Sequence, residues 1–241
     1  MKNIKRRFFI KSSSLIAGGL VLPSFKIERM ANNVNNKKLK VSVIGCGGRG
    51  TGAAVQALRA DDNVELIAMA DAFEDRLENS LAAIKEEMDG EKTIDVKQKN
   101  RFTGFNGYKK AIDLADVVIL ATPPGFRPLH FKYAIDNDKH VFMEKPVATD
   151  ANGVRQVLKT AKDAQQKKLN VVVGLQRRYQ FSYLNILKQV RRGVIGKITS
   201  GQVRWNGAGV WVRGRKPNQT EMEYQMRNWY YFNWLCGDHI V

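Results

Sequence analysis

The chain has 241 residues, of which 44% are hydrophobic and 26% are charged. This composition is typical of a globular protein of one large domain or one and a half, and it excludes a low-complexity chain. The formal net charge is +17, but residues 1–30 hold seven Lys or Arg against one acid (7 − 1 = 6), so 17 − 6 leaves +11 for the rest. Those remaining basic residues are scattered between apolar positions, so we expect no nucleic-acid partner.

The first thirty residues are typical of an export signal. Arg6-Arg7-Phe8-Phe9-Ile10-Lys11 resembles the twin-arginine motif, and a short apolar stretch follows at residues 15–22. That stretch is shorter than the roughly 20 apolar residues that span a bilayer, so we expect no stable membrane span. Residues 1–36 are therefore predicted to be a signal peptide and linker that direct a folded protein to the periplasm, without a clear cleavage site. The alternative is the basic N-terminal tail of a cytoplasmic enzyme.

A glycine-rich string follows the first predicted strand. Residues 38–44 form a β-branched run typical of a buried strand, and residues 51–58 are predicted to form a helix. Between them lies Gly45-Cys46-Gly47-Gly48-Arg49-Gly50, a G-x-G-x-x-G in the right context for a dinucleotide site. The N-terminus of the helix would face the phosphates of that ligand.

Each glycine of the pattern has a predicted role. Gly45 permits the tight turn, Gly47 lets the backbone approach a pyrophosphate, and Gly50 lets helix and strand pack closely. A second strand, residues 64–70, ends at Asp71, twenty-one residues past Gly50. A carboxylate there accepts hydrogen bonds from the adenosine 2′-hydroxyl and repels a 2′-phosphate. We therefore expect NAD rather than NADP, although Arg76, one helical turn on, can soften that preference.

The chain then alternates helices and strands as far as Gly174. The predicted helices are residues 74–88, 108–114, 127–137 and 150–167, and the predicted strands are 116–121, 140–143 and 171–174, with a loop at 89–100. This alternation predicts a doubly wound parallel sheet, an α/β fold, with residues 37–174 as an NAD-binding Rossmann domain.

The character of the sequence changes after Gly174. A helix is predicted at residues 181–192, a turn at 193–196, and an alternating strand at 197–205 that would start a different sheet. Residues 175–241 are predicted to be an incomplete substrate and oligomerisation domain, the start of a truncated α+β domain with an open sheet. The alternative is a chain that naturally ends at Val241.

Two further motifs complete a pattern. Ala121-Thr122-Pro123 follows one predicted strand, and Glu144-Lys145-Pro146 follows the fifth. In this order, with the glycine string and Asp71, they resemble the glucose-fructose oxidoreductase and inositol dehydrogenase (Gfo/Idh/MocA) family, from about Leu39 to the end. The resemblance implies oxidation or reduction of a sugar or polyol hydroxyl with tightly held NAD(H) or NADP(H), and a homo-oligomer when the protein is full length.

Lys145 is the predicted catalytic residue. At the carboxyl end of a parallel strand its side chain would point into the ligand crevice, whereas Glu144 would point the other way. Hydride removal from a carbinol carbon requires a base for the hydroxyl proton, and in the reverse direction an ammonium polarises the carbonyl. The resemblance implies that the cofactor also contacts Thr122, Pro123, His130, Glu144 and Lys145, the match at His130 being loose.

The substrate contacts implied by the resemblance lie after the last strand. They are Gln176, Arg178 and Tyr179, with Arg177, and less firmly Trp205 and the region from Trp211 to Arg213; buried sheet aromatics explain the last group equally well. His140 is expected to be structural, and no role is assigned to Asp238 or His239. Cys46 and Cys236 are expected to be unpaired, and the sequence predicts no metal site.

Three functions are compatible with these residues. The first is an NAD-dependent sugar or polyol dehydrogenase. The second is a glycosidase that oxidises its sugar transiently, so that the glycosidic bond is broken by elimination. The third is a nucleotide-binding relative or fragment without catalysis.

Overall fold

The computed structural model describes residues 38–89, 93–204, 206–207 and 209–238. The predicted signal peptide, Trp205 and His239 lie outside the described residues. Within them the chain forms a six-stranded parallel sheet in the order β3-β2-β1-β4-β5-β6. The strands are β1 (Leu39–Ile44), β2 (Val64–Asp71), β3 (Arg101–Thr103), β4 (Val117–Leu120), β5 (His140–Met143) and β6 (Val171–Val173).

Helices connect the strands on both faces of the sheet. They are α1 (Gly48–Ala60), α2 (Glu74–Glu87), α3 (Gly107–Leu114), α4 (Arg127–Asp136) and α5 (Ala151–Gln166), followed by α6 (Gln176–Tyr179), α7 (Phe181–Arg191), α8 (Glu221–Arg227) and α9 (Asn233–Cys236). Short 3₁₀ turns occur at Gln98–Asn100, Pro124–Phe126 and Trp229–Tyr231. The strand order is that of a Rossmann fold, which confirms the predicted doubly wound α/β class.

β1 lies inside the sheet, between β2 and β4, and contributes apolar side chains to both faces. Val43 stands opposite Met69 on β2 and Ile119 on β4. These three side chains belong to one apolar core, with α1 and α2, while Ile44 and Leu120 belong to a second core with α3, α4 and α5. Alternate residues of one strand therefore fill two cores, as a parallel sheet covered on both faces requires.

Several predictions about elements need correction. The sequence analysis missed β3, which follows the loop predicted at residues 89–100. This edge strand has three residues and is too short to give an alternating pattern. β6 was expected to be buried, but Val172 is 42% exposed because β6 lies at the other edge of the sheet.

The strand predicted at residues 197–205 is absent from residues 197–204, and with it the second, open sheet. Residues 197–204 are exposed and have no neighbouring strand. Their backbone therefore has no partner for the hydrogen bonds of a sheet. In the part of the chain that the structure describes, no helix is both long and apolar enough to cross a membrane.

Candidate functional site: a dinucleotide cleft and an adjoining cavity

The turn between β1 and α1 is shaped by two glycines that tolerate no side chain. Gly45 has φ +95°, and a Cβ there would lie 2.5 Å from the backbone nitrogen of Thr122. A Cβ on Gly50 would lie 1.9 Å from the carbonyl oxygen of Gly45, so α1 packs directly on the turn. A Cβ on Gly47 or Gly48 would meet nothing within 4 Å. The open side of the turn is therefore free backbone at the start of a 13-residue helix, where a phosphate fits.

Asp71 lies at the end of β2, beside the glycine turn. Its Oδ2 accepts a hydrogen bond from the backbone N–H of Cys46 at 2.7 Å, and its Oδ1 accepts one from Phe73 at 2.9 Å. Burial raises the pKa of this carboxyl group, and the two backbone hydrogen bonds oppose that rise. Each oxygen has further acceptor capacity that a ribose hydroxyl can use. Burial, with the nearby Asp71, also raises the pKa of the Cys46 thiol, which is free, as is Cys236.

The turn after β4 is held by an arginine that the sequence analysis missed. Arg127, at the start of α4, is 1% exposed, and its guanidinium donates hydrogen bonds to the carbonyl oxygens of Leu120 and Thr122. Burial lowers the pKa of Arg127 to about 10, with Glu144 acting against that shift, so the group stays cationic at neutral pH. Arg127, which lies between Phe126 and Pro128, has no local sequence signature for this role.

His130 is buried beside that turn. Its ring lies against Tyr108 with centroids 4.1 Å apart and stacks on Phe126 at 5.9 Å, and its Nδ1 is 3.2 Å from the hydroxyl of Thr122. Burial and the charge of Arg127 lower the pKa of His130 to about 3. The imidazole is therefore neutral at physiological pH. His140, expected to be structural, accepts a hydrogen bond from the backbone N–H of Asn170.

Glu144 joins the end of β5 to the glycine turn. Its Oε1 accepts a hydrogen bond from Arg49 Nε at 2.6 Å, and the residue is 8% exposed. A Cβ on Gly174 would lie 2.7 Å from the same oxygen, so the carboxylate lies against β6's end. Lys145 follows with an exposed side chain and a cis peptide bond to Pro146.

Glu144 and Lys145, which were predicted to point in opposite directions, line one cavity. Both residues lie past the last residue of β5, where the alternation of a strand no longer applies.

Two neighbouring cavities contain most of the predicted site. The first, the dinucleotide cleft, has a volume of about 410 Å³ and is lined by Gly45, Gly47, Gly48, Asp71, Pro123 and His130, among others. The second, the lysine cavity, has a volume of about 520 Å³ and is lined by Glu144, Lys145 and Gln176, among others. Arg49, Thr122 and Trp229 line both, so the two cavities adjoin.

The structure separates the predicted substrate residues. Gln176, at the start of α6, faces the lysine cavity. Arg178 and Tyr179 are exposed and line neither cavity, because α6 turns them outward; Tyr179 is 62% exposed. In contrast, Trp211 and Arg213 line the dinucleotide cleft together with Met226, Arg227 and Trp229. The residues from 210 to 236, here the C-terminal segment, thus cover a cleft that sequence patterns assigned to the Rossmann domain alone.

Comparison with known proteins identifies the domain. The family profile described as an oxidoreductase family with an NAD-binding Rossmann fold, GFO_IDH_MocA, matches residues 39–174, more than half of the chain. The chain belongs to the Gfo/Idh/MocA family. The cofactor class of this family is NAD, and the open backbone at Gly47 and Gly48, with the carboxylate of Asp71, fits such a dinucleotide.

The curated relatives that this chain matches include glycosidases. A glycosyl hydrolase family 109 protein of Shewanella sp. (strain W3-18-1) is 25% identical over 248 residues, covering 95% of this chain and 50% of that protein. An alpha-N-acetylgalactosaminidase of Shewanella oneidensis is 27% identical over 231 residues, covering 85% and 46%. The chain therefore spans about half the length of the curated relatives it matches.

The solved structures that resemble this chain include inositol dehydrogenases. A myo-inositol 2-dehydrogenase from Lactobacillus plantarum superposes with a TM-score of 0.55 and 29% identity, over 67% of this chain and 43% of that one. A scyllo-inositol dehydrogenase from Lactobacillus casei, solved with NAD(H) and scyllo-inositol, gives a TM-score of 0.52 and 24% identity, over 68% and 44%. The second likeness concerns the fold alone.

Proposed function

We propose that the chain is the cofactor-binding part of an NAD-dependent oxidoreductase that acts on a hydroxyl group of a sugar or polyol. The observation that supports this proposal is the position of Lys145, which lines a cavity adjoining the dinucleotide cleft at the carboxyl end of the sheet. Ligands of open α/β sheets bind at that end. The similarity to an inositol dehydrogenase at 29% identity supports the same reaction class.

The residues divide the chemistry between them. NAD, when bound, supplies the hydride acceptor or donor. In oxidation the neutral amine of Lys145 accepts the proton of the substrate hydroxyl and becomes an ammonium, and in reduction that ammonium returns the proton to the forming hydroxyl. Glu144 and Arg49 form an ion pair that ties the end of β5 to the glycine turn and so positions the lysine next to the cleft. His130, neutral through burial, lines the dinucleotide cleft, whereas Lys145 lines the lysine cavity together with Arg49 and Arg127.

Replacement of Lys145 by Met in the full-length protein tests this role. We expect turnover of the best sugar or polyol substrate to fall by about 10²-fold or more, the usual size of a lost general acid–base contribution. The Kd for NAD⁺, measured by calorimetry, should change little. Lys162→Met, an exposed lysine on α5, is the matched control and should leave both quantities unchanged. Full activity of Lys145→Met would exclude the proposed role.

A second function is favoured by one specific observation. The glycosyl hydrolase family 109 protein of Shewanella sp. aligns with 95% of this chain, well beyond the Rossmann domain. A glycosidase of this kind oxidises a ring hydroxyl, so that the C–H beside the new ketone becomes acidic. Loss of that proton expels the glycosidic oxygen, water adds to the resulting double bond, and the hydride returns to the ketone. The cofactor ends as it began, so this reaction is distinguished by the absence of net NADH.

A further inference from the structure

The dinucleotide cleft carries an excess of positive charge. Four arginines line it, against one carboxylate, Asp71. Two of the four are matched by acids, because Arg49 pairs with Glu144 and Arg227 pairs with Asp75 and Glu223. The other two are Arg76 and Arg213, and within the described part of the chain no acid lies within 4.0 Å of either guanidinium. A cleft lined by unmatched cations attracts an anion.

Arg76 occupies an electrostatically unfavourable position. It is the third residue of α2, in the first turn of a 14-residue helix, where the helix dipole favours negative charge. Burial lowers the pKa of Arg76, and the charge of Arg213 lowers it further, while Asp71 and Asp75 act against the shift. Two like charges near a helix N-terminus repel each other, and a bound anion removes that repulsion.

The backbone of Arg213 is held beside the cleft by hydrogen bonds to a buried side chain. The side chain of Asn228, 2% exposed, accepts a hydrogen bond from the Arg213 backbone N–H at 2.7 Å and donates one to its carbonyl oxygen at 3.1 Å. The guanidinium of Arg213 lies 5.5 Å from the centroid of the Trp211 ring.

The segment that carries Arg213 is fixed to α2 by a second arginine. Arg227 Nη1 and Nη2 bind the two oxygens of Asp75 at 2.9 and 3.0 Å, and its guanidinium covers the ring of Phe73 at 4.1 Å. Such a bidentate pair fixes the relative orientation of the two side chains and also contributes favourable electrostatic energy. Asp75 is the residue before Arg76, so the same contact sets the position of Arg213 relative to Arg76.

We propose that Arg76 and Arg213 together bind a phosphate group of the dinucleotide. Two phosphates present this chemistry: the pyrophosphate, which NAD and NADP share, and the 2′-phosphate of NADP. Arg213 lies outside residues 39–174, so the cofactor site extends beyond the Rossmann domain into the C-terminal segment. The inference concerns binding, and it holds whichever reaction the protein catalyses.

Calorimetric titration of the full-length protein with NAD⁺ and with NADP⁺ tests the proposal. The variants are Arg76→Met and Arg213→Met, which keep most of the alkyl stem and remove the charge. Loss of a charge-assisted hydrogen bond corresponds to about tenfold in Kd or more. An equal loss for both ligands assigns the pair to the pyrophosphate, and a loss for NADP⁺ alone assigns it to the 2′-phosphate.

Arg215→Met is the matched control. Arg215 lies two residues from Arg213 in the same segment, but its guanidinium covers Tyr224 and pairs with Glu221, and it does not line the cleft. We expect its Kd values to equal those of the unmodified protein. Unchanged Kd values for both ligands in Arg213→Met would overturn the proposal. So would an equal loss in Arg215→Met, because the effect would then come from general charge or from the segment's stability.

Discussion

At the scale of single residues, burial determines the charge states around the turn after β4. The guanidinium of Arg127 donates hydrogen bonds to the carbonyl oxygens of Leu120 and Thr122, while its Nε has no hydrogen-bond partner in the described part of the chain. Its cationic guanidinium adds to burial in keeping the neighbouring His130 neutral. A buried cation thus holds the shape of the turn and fixes the protonation state of a ring that lines the cleft.

The low pKa of His130 makes stability depend on pH. Its value falls from 6.5 to about 3 on folding, so between these values the unfolded chain binds a proton that the folded chain does not. The stability that neutral His130 contributes is therefore fully present above its unfolded-state pKa of 6.5, and it declines as the pH falls below that value. Between about pH 8 and pH 5 we expect this residue to cost roughly 2 kcal/mol of unfolding free energy, measured by urea denaturation.

Two variants isolate the contribution of His130. His130→Phe keeps an aromatic ring between Tyr108 and Phe126 but cannot titrate, so its unfolding free energy should fall less across the same pH range. Thr122→Val removes the hydroxyl near Nδ1 but leaves the imidazole, and its pH dependence should follow the unmodified protein. Identical pH slopes for His130→Phe and the unmodified protein would contradict the assignment.

At the scale of elements, two glycines of the β1–turn–α1 unit have different roles. Gly50 allows α1 to pack closely on the turn, whereas Gly47 leaves open space for a ligand. Gly50→Ala places a methyl group 1.9 Å from the Gly45 carbonyl oxygen, so we expect a loss of about 2 kcal/mol of stability or more. Gly47→Ala meets open space, so thermal stability should change little, but its methyl group occupies the side from which a pyrophosphate approaches. We expect its Kd for NAD⁺ to rise by about tenfold, or 1.4 kcal/mol.

Gly52→Ala is the control for both glycine variants. It lies in the same helix, and its Cβ would meet only the end of the Arg49 side chain at 3.8 Å. Alanine is the better helix former by roughly 0.5–1 kcal/mol, so this variant should be as stable as the unmodified protein or more so. A Gly50→Ala protein as stable as Gly52→Ala would contradict the close packing of α1 on the turn.

The elements that sequence patterns predicted are those with a strong periodic signal. The helices and strands between β1 and β6 were found within a few residues, except β3, and His140–Met143 was found with its bounds. The strand predicted at residues 197–205 failed because alternation records a tendency, whereas a strand forms only beside a partner. Asp150 caps the N-terminus of α5, since its carboxylate accepts a hydrogen bond from Gly153 N–H at 2.7 Å.

Candidate site residues could be located from the sequence where a motif is local. The glycine string, Asp71 and Lys145 each follow a strand end, and parallel strand ends meet at one edge of the sheet. Arg127 and the pair Arg213 and Asn228 were not assigned these roles, because their functions depend on contacts that no short motif records. Arg213 meets the cleft only through the fold of the C-terminal segment, more than a hundred residues away from Arg76 in sequence.

At the scale of the whole molecule, the described chain combines the dinucleotide cleft with the adjoining lysine cavity. Its curated relatives are about twice as long. Apolar side chains of α7 are exposed, with Phe181 at 83% and Ile186 at 63%. Activity is therefore a property to be measured on the full-length protein, and export by the twin-arginine route and homo-oligomer formation stay predictions.

The most direct test is to follow the absorbance of reduced nicotinamide when the NAD⁺-loaded, full-length protein meets a panel of polyols, free sugars and glycosides. Our account predicts NADH that accumulates in proportion to an oxidised polyol or sugar, at a rate lower by about 10²-fold or more in the Lys145→Met protein. Glycoside cleavage without net NADH would contradict the dehydrogenase and establish the second function. Neither NADH nor cleavage with any member of the panel, in a protein that binds NAD⁺, would contradict catalysis at Lys145 altogether.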